Sequence, residues 1–158
     1  SLRKEQCIVF PHITGDKLMY HDLCVRGAFI GLSFETRRED MTQAVFEGKH
    51  AIREVLESMK LAQWPSRIQI NGGGTRSPVW MQIMANILHT ELKVVTESAT
   101  PGYGAALLAA LADGVSEKEA CIGQGKVYAA EKVFTDAYDR QYKKYKRMYS
   151  ALKNIMQE

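Results

Sequence analysis

Asn71-Gly72-Gly73-Gly74-Thr75-Arg76-Ser77-Pro78 is the stretch on which the fold turns. It lies between a β-prone run, Arg67-Ile68-Gln69-Ile70, and a segment patterned as a helix over residues 79–89. Three consecutive glycines put no Cβ in the path of a ligand and make positive φ cheap. Ser77 stands where an N-cap belongs, and Pro78 where the first helical residue belongs. The exposed N–H groups of such a helix start, with the positive end of its dipole, suit a nucleotide phosphate. The same residues also make an ordinary tight strand-to-helix turn. The rest of the sequence has to separate the two readings.

At 158 residues the chain has the size of one compact domain, long enough to bury a core. Its 46% hydrophobic and 25% charged residues match a soluble globular protein. The net charge of +3 is small, and only residues 140–147 form a basic run. Tyrosines interleave there as they do on nucleic-acid surfaces. However, Tyr138, Tyr142, Tyr145, Tyr149 and Leu152 recur at helical spacing, so the aromatic rings are expected to pack while the lysines stay solvated. No nucleic-acid partner is expected. Cys7, Cys24 and Cys121 are odd in number and widely spaced, which suits a reducing, cytoplasmic setting rather than a disulfide framework. His12, His21, His50 and His89 lack metal-site spacing, so no metal ligand is assigned. No apolar run approaches the length of a membrane span. The start at Ser1-Leu2-Arg3, without a methionine, reads as a piece of something longer.

Outward from the glycines, the pattern is α/β. Cys7-Ile8-Val9-Phe10 and the run from Gly27 to Leu32 read as two strands joined by a polar loop holding Gly15 and Asp16. Thr36-Arg37-Arg38-Glu39 matches a capping box. Behind it Met41, Ala44, Val45, Gly48, Ile52, Val55, Leu56 and Met59 predict one long amphipathic helix ending before Trp64-Pro65. Residues 92–96 read as a strand parallel to 67–70 through a βαβ crossover. Residues 104–112 are small and apolar, a helix expected to pack closely and stop at Gly114. Residues 117–131 are weakly patterned, and residues 134–155 predict a final amphipathic helix.

Two nucleotide motifs compete locally. The glycine stretch has no lysine of the G-x-x-x-x-G-K-[ST] type, so it is not a P-loop. It nearly matches the dinucleotide fingerprint as Gly72-x-Gly74-x-x-Ser77, with Glu97 about 20 residues on as a ribose ligand. That Rossmann-type alternative has the wrong context, because a dinucleotide domain usually opens on its fingerprint. Here a hairpin and a long helix come first.

The chain resembles a known family along nearly its whole length and in collinear order. Arg26-Gly27 through Gly31-Leu32 resembles an R-G-x-x-x-G-L element. Ala44-Val45-Phe46-Glu47-Gly48 follows, then the glycine stretch continuing as Val79-Trp80-Met81-Gln82-Ile83-Met84-Ala85-Asn86. Pro101-Gly102-Tyr103-Gly104-Ala105-Ala106-Leu107-Leu108 and the tail from Tyr145 to Lys153 complete it. Together these are similar to the C-terminal domain of the FGGY carbohydrate kinases, the xylulose kinases most of all. The resemblance implies an actin-like ATPase (ribonuclease H-like) fold, a mixed sheet flanked by helices. It implies that residues 1–158 are one domain, the C-terminal half of a two-domain kinase whose N-terminal domain is not in this chain. ATP and Mg²⁺ are the implied cofactors of the full-length enzyme, and a sugar, D-xylulose first with gluconate or another sugar as alternatives, is the implied acceptor. Both substrates would be shared with the N-terminal domain. Homodimerisation is left open.

By motif, Gly72, Gly73 and Gly74 would contact the α-phosphate and ribose side of ATP, and Ser77 would lie near the adenosine while also capping its helix. No catalytic residue is carried over to this chain, since the family's general base lies in the other domain. Gly104 and Ala105 match a close-packing motif. Three positions depart from the family pattern. The usual G-E-R-x-P is Gly15-Asp16-Lys17-Leu18-Met19, which loses the bidentate fork of an arginine. The common A-D pair is Ala85-Asn86, and the leucine before Gly-Ala-Ala is Tyr103.

Overall fold

A three-stranded mixed sheet carries the glycine turn. The computed structural model describes residues 7–95, 101–114 and 125–157. Strand β1 (Ile8–Phe10) pairs antiparallel with β2 (Ala28–Ile30), Val9 opposite Phe29. Helices α1 (Arg38–Glu47) and α2 (His50–Ser58) follow. Then come β3 (Arg67–Ile70), a 3₁₀ turn (Gly73–Arg76), α3 (Pro78–Leu88) and β4 (Glu91–Val94). The last elements are α4 (Pro101–Ala112), β5 (Val127–Tyr128), α5 (Thr135–Tyr145) and α6 (Met148–Met156).

Strands β3 and β4 are parallel, with Ile68 opposite Leu92 and Ile70 opposite Val94. The crossover between them is α3, as the alternation of patterns predicts. β5 joins the far side of β4 antiparallel, giving the order β3-β4-β5. Met81, Met84, Ala85 and Leu88 of α3 pack on Leu92 and Tyr128, with Ile68, Ile70, Val94 and Leu56 at the margin. This is the core that fixes the turn. A second cluster joins Phe10 and Val25 to Tyr142, Tyr145 and Met148, so the N-terminal hairpin and the C-terminal helices stabilise each other.

Several sequence expectations need correction. The single long helix is two, broken at Gly48 and Lys49. A Cβ on Gly48 would lie 3.1 Å from Val9 Cγ1 and 3.3 Å from Pro11 Cβ, so a larger residue here would have to push α1 and the β1 region slightly apart. The break also divides the apolar stripe. Ala44 is buried while Val45 is 49% exposed, and Glu47 and His50 face inward instead. The cap lies one residue later than the Thr36 pattern suggests: the Asp40 carboxylate accepts the Arg37 N–H at 2.9 Å. Thr36 Oγ1 instead accepts the N–H of Ser33 at 2.8 Å. The final helix likewise divides at Lys146 and Arg147, although its tyrosines pack as expected. Finally, α4 forms over the predicted residues but lies open among the described residues. Leu108 is 70% exposed, and a Cβ on Gly104 would meet nothing within 4 Å. Glu97, Cys121 and most of the weakly patterned stretch lie outside the described residues.

Candidate functional site

The chain leaves β3 at Ile70, whose carbonyl accepts the Val95 N–H at 2.9 Å, so the end of the strand is pinned to the neighbouring one. Gly72 then takes φ +105°, a left-handed conformation that only glycine adopts without strain. Its carbonyl accepts from the Thr75 N–H at 3.1 Å and from Thr75 Oγ1 at 2.7 Å, closing the 3₁₀ turn. The Gly74 carbonyl accepts the Ser77 N–H at 3.1 Å, and Ser77 Oγ accepts the Trp80 N–H at 3.3 Å. Ser77 is therefore the N-cap of α3, with Pro78 at its first position. Two helical starts follow each other within six residues. The opening N–H groups of a helix have no preceding turn to bond, so this segment offers a donor-rich backbone surface.

The three glycines are not equivalent. Ideal Cβ atoms on Gly72 and Gly73 would meet nothing within 4 Å, and both residues are exposed. A Cβ on Gly74 would lie 2.7 Å from Trp80 Cζ3 and 3.1 Å from Cε3. Gly72 and Gly73 thus present open backbone, and Gly74 seats the turn on the Trp80 indole. That indole is itself held: Nε1 donates to the Phe46 carbonyl at 3.2 Å, and the ring stacks on Phe46 with centroids 5.5 Å apart. Lys49 Nζ stands over the same ring, 4.5 Å from its centroid. Burial lowers the Lys49 pKa from its usual value. Among the described residues no carboxylate pairs with it.

A polar junction ties α2 and α5 to the C-terminal end of α3, the end away from the turn. Asp139 Oδ1 accepts from Arg53 Nη1 at 2.7 Å and lies 2.9 Å from His89 Nε2. His89 caps the C-terminus of α3 in the left-handed region, with φ 51°. Burial works to raise the Asp139 pKa, but the hydrogen bonds and charges of Arg53 and His89 outweigh it and hold the carboxyl below its usual range. Asn86, one of the departures from the family pattern, is buried. Its Oδ1 accepts the Glu131 N–H at 2.8 Å and Gln82 Nε2 at 3.1 Å, tying the chain after β5 to α3.

Gly72, Gly73, Gly74 and Ser77 therefore come together in one turn. Gly104 and Ala105 are exposed on α4. In the Gly15–Met19 loop, Asp16 Oδ1 accepts the N–H groups of Leu18, Met19 and Tyr20 at 3.0, 2.7 and 2.8 Å, so that acid shapes its own loop. Among the described residues no group of three or more His, Cys, Asp or Glu side chains is placed to hold a metal ion. Sequence reasoning gave no role to Trp80 or Lys49. A signal was present: Lys49 lies four residues after Val45 and three before Ile52, a lysine on an apolar stripe.

A profile described as the FGGY family of carbohydrate kinases, C-terminal domain, matches residues 3–112. The chain belongs to that family. It is 36% identical over 152 residues to a xylulose kinase from Staphylococcus xylosus, an alignment covering 88% of this chain and 30% of the relative. A crystal structure of a xyloylose kinase from Brucella ovis superposes with a TM-score of 0.86 at 29% identity, covering 98% of this chain and 34% of the other. A gluconate kinase from Lactobacillus acidophilus does so with a TM-score of 0.84 at 25% identity, covering 92% and 31%. The chain thus spans about a third of the length of these relatives. Its fold is that of the FGGY kinases, the actin-like ATPase fold. The Rossmann-type alternative is not supported, since the hairpin and two helices precede the fingerprint turn and β5 runs antiparallel to β4.

Proposed function

We propose that this FGGY domain is the C-terminal, nucleotide-contacting half of a two-domain ATP-dependent sugar kinase, with D-xylulose as acceptor. The observation that carries the reading is the open backbone of Gly72 and Gly73 at a strand-to-helix turn, in a chain of this family. In this reading the N–H groups of Gly72, Gly73 and Gly74 hold the α-phosphate and ribose side of ATP, and Ser77 lies near the adenosine. The absence of a Cβ at Gly72 and Gly73 lets the ligand reach the main chain. ATP, bound with Mg²⁺, supplies the phosphoryl group that passes to the sugar hydroxyl. No described cluster fits a metal, so the ion would be held by the phosphates and by carboxylates outside these residues. Closure of the two domains would exclude water, the competing acceptor. The reading carries with it a cytoplasmic location, no membrane or nucleic-acid partner, and no turnover by this chain alone. No described helix is long and apolar enough to cross a membrane.

The test is Gly73→Val in the full-length kinase. Gly73 has no positive φ, and its Cβ would meet nothing, so the fold should tolerate the change. The KM for ATP should rise at least ~10-fold, with the sugar KM little moved. An unaltered ATP affinity in a folded variant overturns the assignment. Comparing D-xylulose with gluconate and glycerol as acceptors settles the sugar, because a gluconate kinase shares this fold.

A further inference from the structure

Lys49 is placed where an ordinary surface lysine would not be. It is half-buried at the junction of α1 and α2, and its ammonium stands over the Trp80 ring of α3, 4.5 Å from the centroid. Phe46, one helical turn earlier, stacks on the same indole and accepts its N–H, which holds the ring in place. A half-buried ammonium without an anion is disfavoured, and a ring quadrupole offsets only part of that cost. Among the described residues no carboxylate completes the pair. The indole that Lys49 covers is also the one against which Gly74 packs, its Cζ3 being the nearest atom to a Gly74 Cβ. Lys49 and Gly74, the residue that follows the open backbone of Gly72 and Gly73, therefore meet on one indole.

We propose that Lys49 is a further nucleotide-binding residue, its ammonium pairing with a phosphate of the ligand that lies against Gly72 and Gly73. The inference rests on the nucleotide reading of the turn and adds to it a charged group outside the glycine stretch. Backbone N–H groups give the phosphate direction, and the ammonium adds a full charge to their partial ones. Trp80 serves both, as the seat of Gly74 and as the surface that aims Lys49.

Calorimetric titration of the full-length kinase with ADP and with adenosine tests this, using Lys49→Met, Lys49→Arg and Gly73→Val. Lys49→Met should weaken ADP at least ~10-fold and leave adenosine within about 2-fold, because adenosine has no phosphate. Lys49→Arg, which keeps the charge, should recover most of the ADP affinity. Lys49→Met should melt no lower than the parent, since it removes an unpaired half-buried charge; if it does not fold, Lys49→Gln replaces it. Wild-type ADP affinity in Lys49→Met overturns the proposal, as does an equal loss for ADP and adenosine, which would mean that the lysine only supports the indole. If Gly73→Val weakens ADP while Lys49→Met does not, this inference fails alone. If neither variant affects ADP, the nucleotide reading fails with it.

Discussion

Gly74 and Trp80 are in direct contact: the glycine lies against the benzo ring of the indole so closely that a Cβ would come within 2.7 Å of Cζ3. Gly73, one residue earlier, has open space at the same position. A run of identical residues thus answers two different requirements. One glycine is needed by the fold, whereas its neighbour is not needed by the folded domain itself.

Gly74→Ala should therefore cost about 1–3 kcal/mol, since the methyl can be admitted only by displacing an indole already fixed by Phe46. Gly73→Ala should be neutral or stabilise by roughly 0.4–1 kcal/mol, because it restricts the unfolded chain without strain in the native one. Urea unfolding of the two variants measures the contrast. Equal costs at the two positions contradict the assignment of separate roles.

His50 makes stability depend on acid. The imidazole is 1% exposed among the rings of Tyr138, Tyr142 and Tyr145. Burial depresses its pKa to about 4 from 6.5, with the nearby Arg53 charge acting in the same direction and Gln141 against it. Between those two values the unfolded chain binds a proton that the native state refuses, so stability falls as pH drops through the window and is fully present above 6.5. The His50 contribution lost is roughly 3 kcal/mol in all. Burial raises the neighbouring Glu47 carboxyl, which works in the opposite direction. The clean measurement is thus a difference: His50→Phe should remove this part of the loss of unfolding free energy between pH 7 and pH 5. An identical pH dependence in the variant rules out the imidazole as its source.

The C-terminal helices test packing against charge. Tyr145 is completely buried, with its hydroxyl 3.0 Å from His12 Nε2, and Tyr145→Ala should cost about 3–5 kcal/mol. Lys143 is exposed, and Lys143→Glu should change stability by less than about 0.5 kcal/mol. Lys146 is less free than its spacing suggests, since Nζ lies 3.3 Å from Glu57 Oε2 and over the Tyr142 ring. Lys146→Glu should cost up to about 1 kcal/mol. Thermal melts of the three variants order them, and a larger loss at Lys143 than at Tyr145 reverses the assignment.

Much of the secondary structure was legible because its signals are local. The glycine stretch, Ser77 and Pro78 specify a turn and a helix start within eight residues, and the structure puts the cap on Ser77. The parallel pairing of β3 and β4 follows from a strand-helix-strand pattern whose crossover leaves little choice. The tyrosine spacing marked the buried face of α5.

Other features depended on neighbours distant in sequence. The apolar pattern runs on across residues 38–58, and Gly48 alone marks the break locally; that Val9 and Pro11 approach this glycine is visible only in the packing. Nor does any pattern distinguish Gly74 from Gly73, because the difference is the Trp80 ring brought back by α3. Lys49 reads locally as one more surface charge until packing sets it on that same ring. Local chemistry of the backbone thus determined where the chain turns and caps. Only the tertiary structure decided which glycine meets the indole, which is open and which lysine lies over that ring, because steric contact and desolvation depend on how the elements pack.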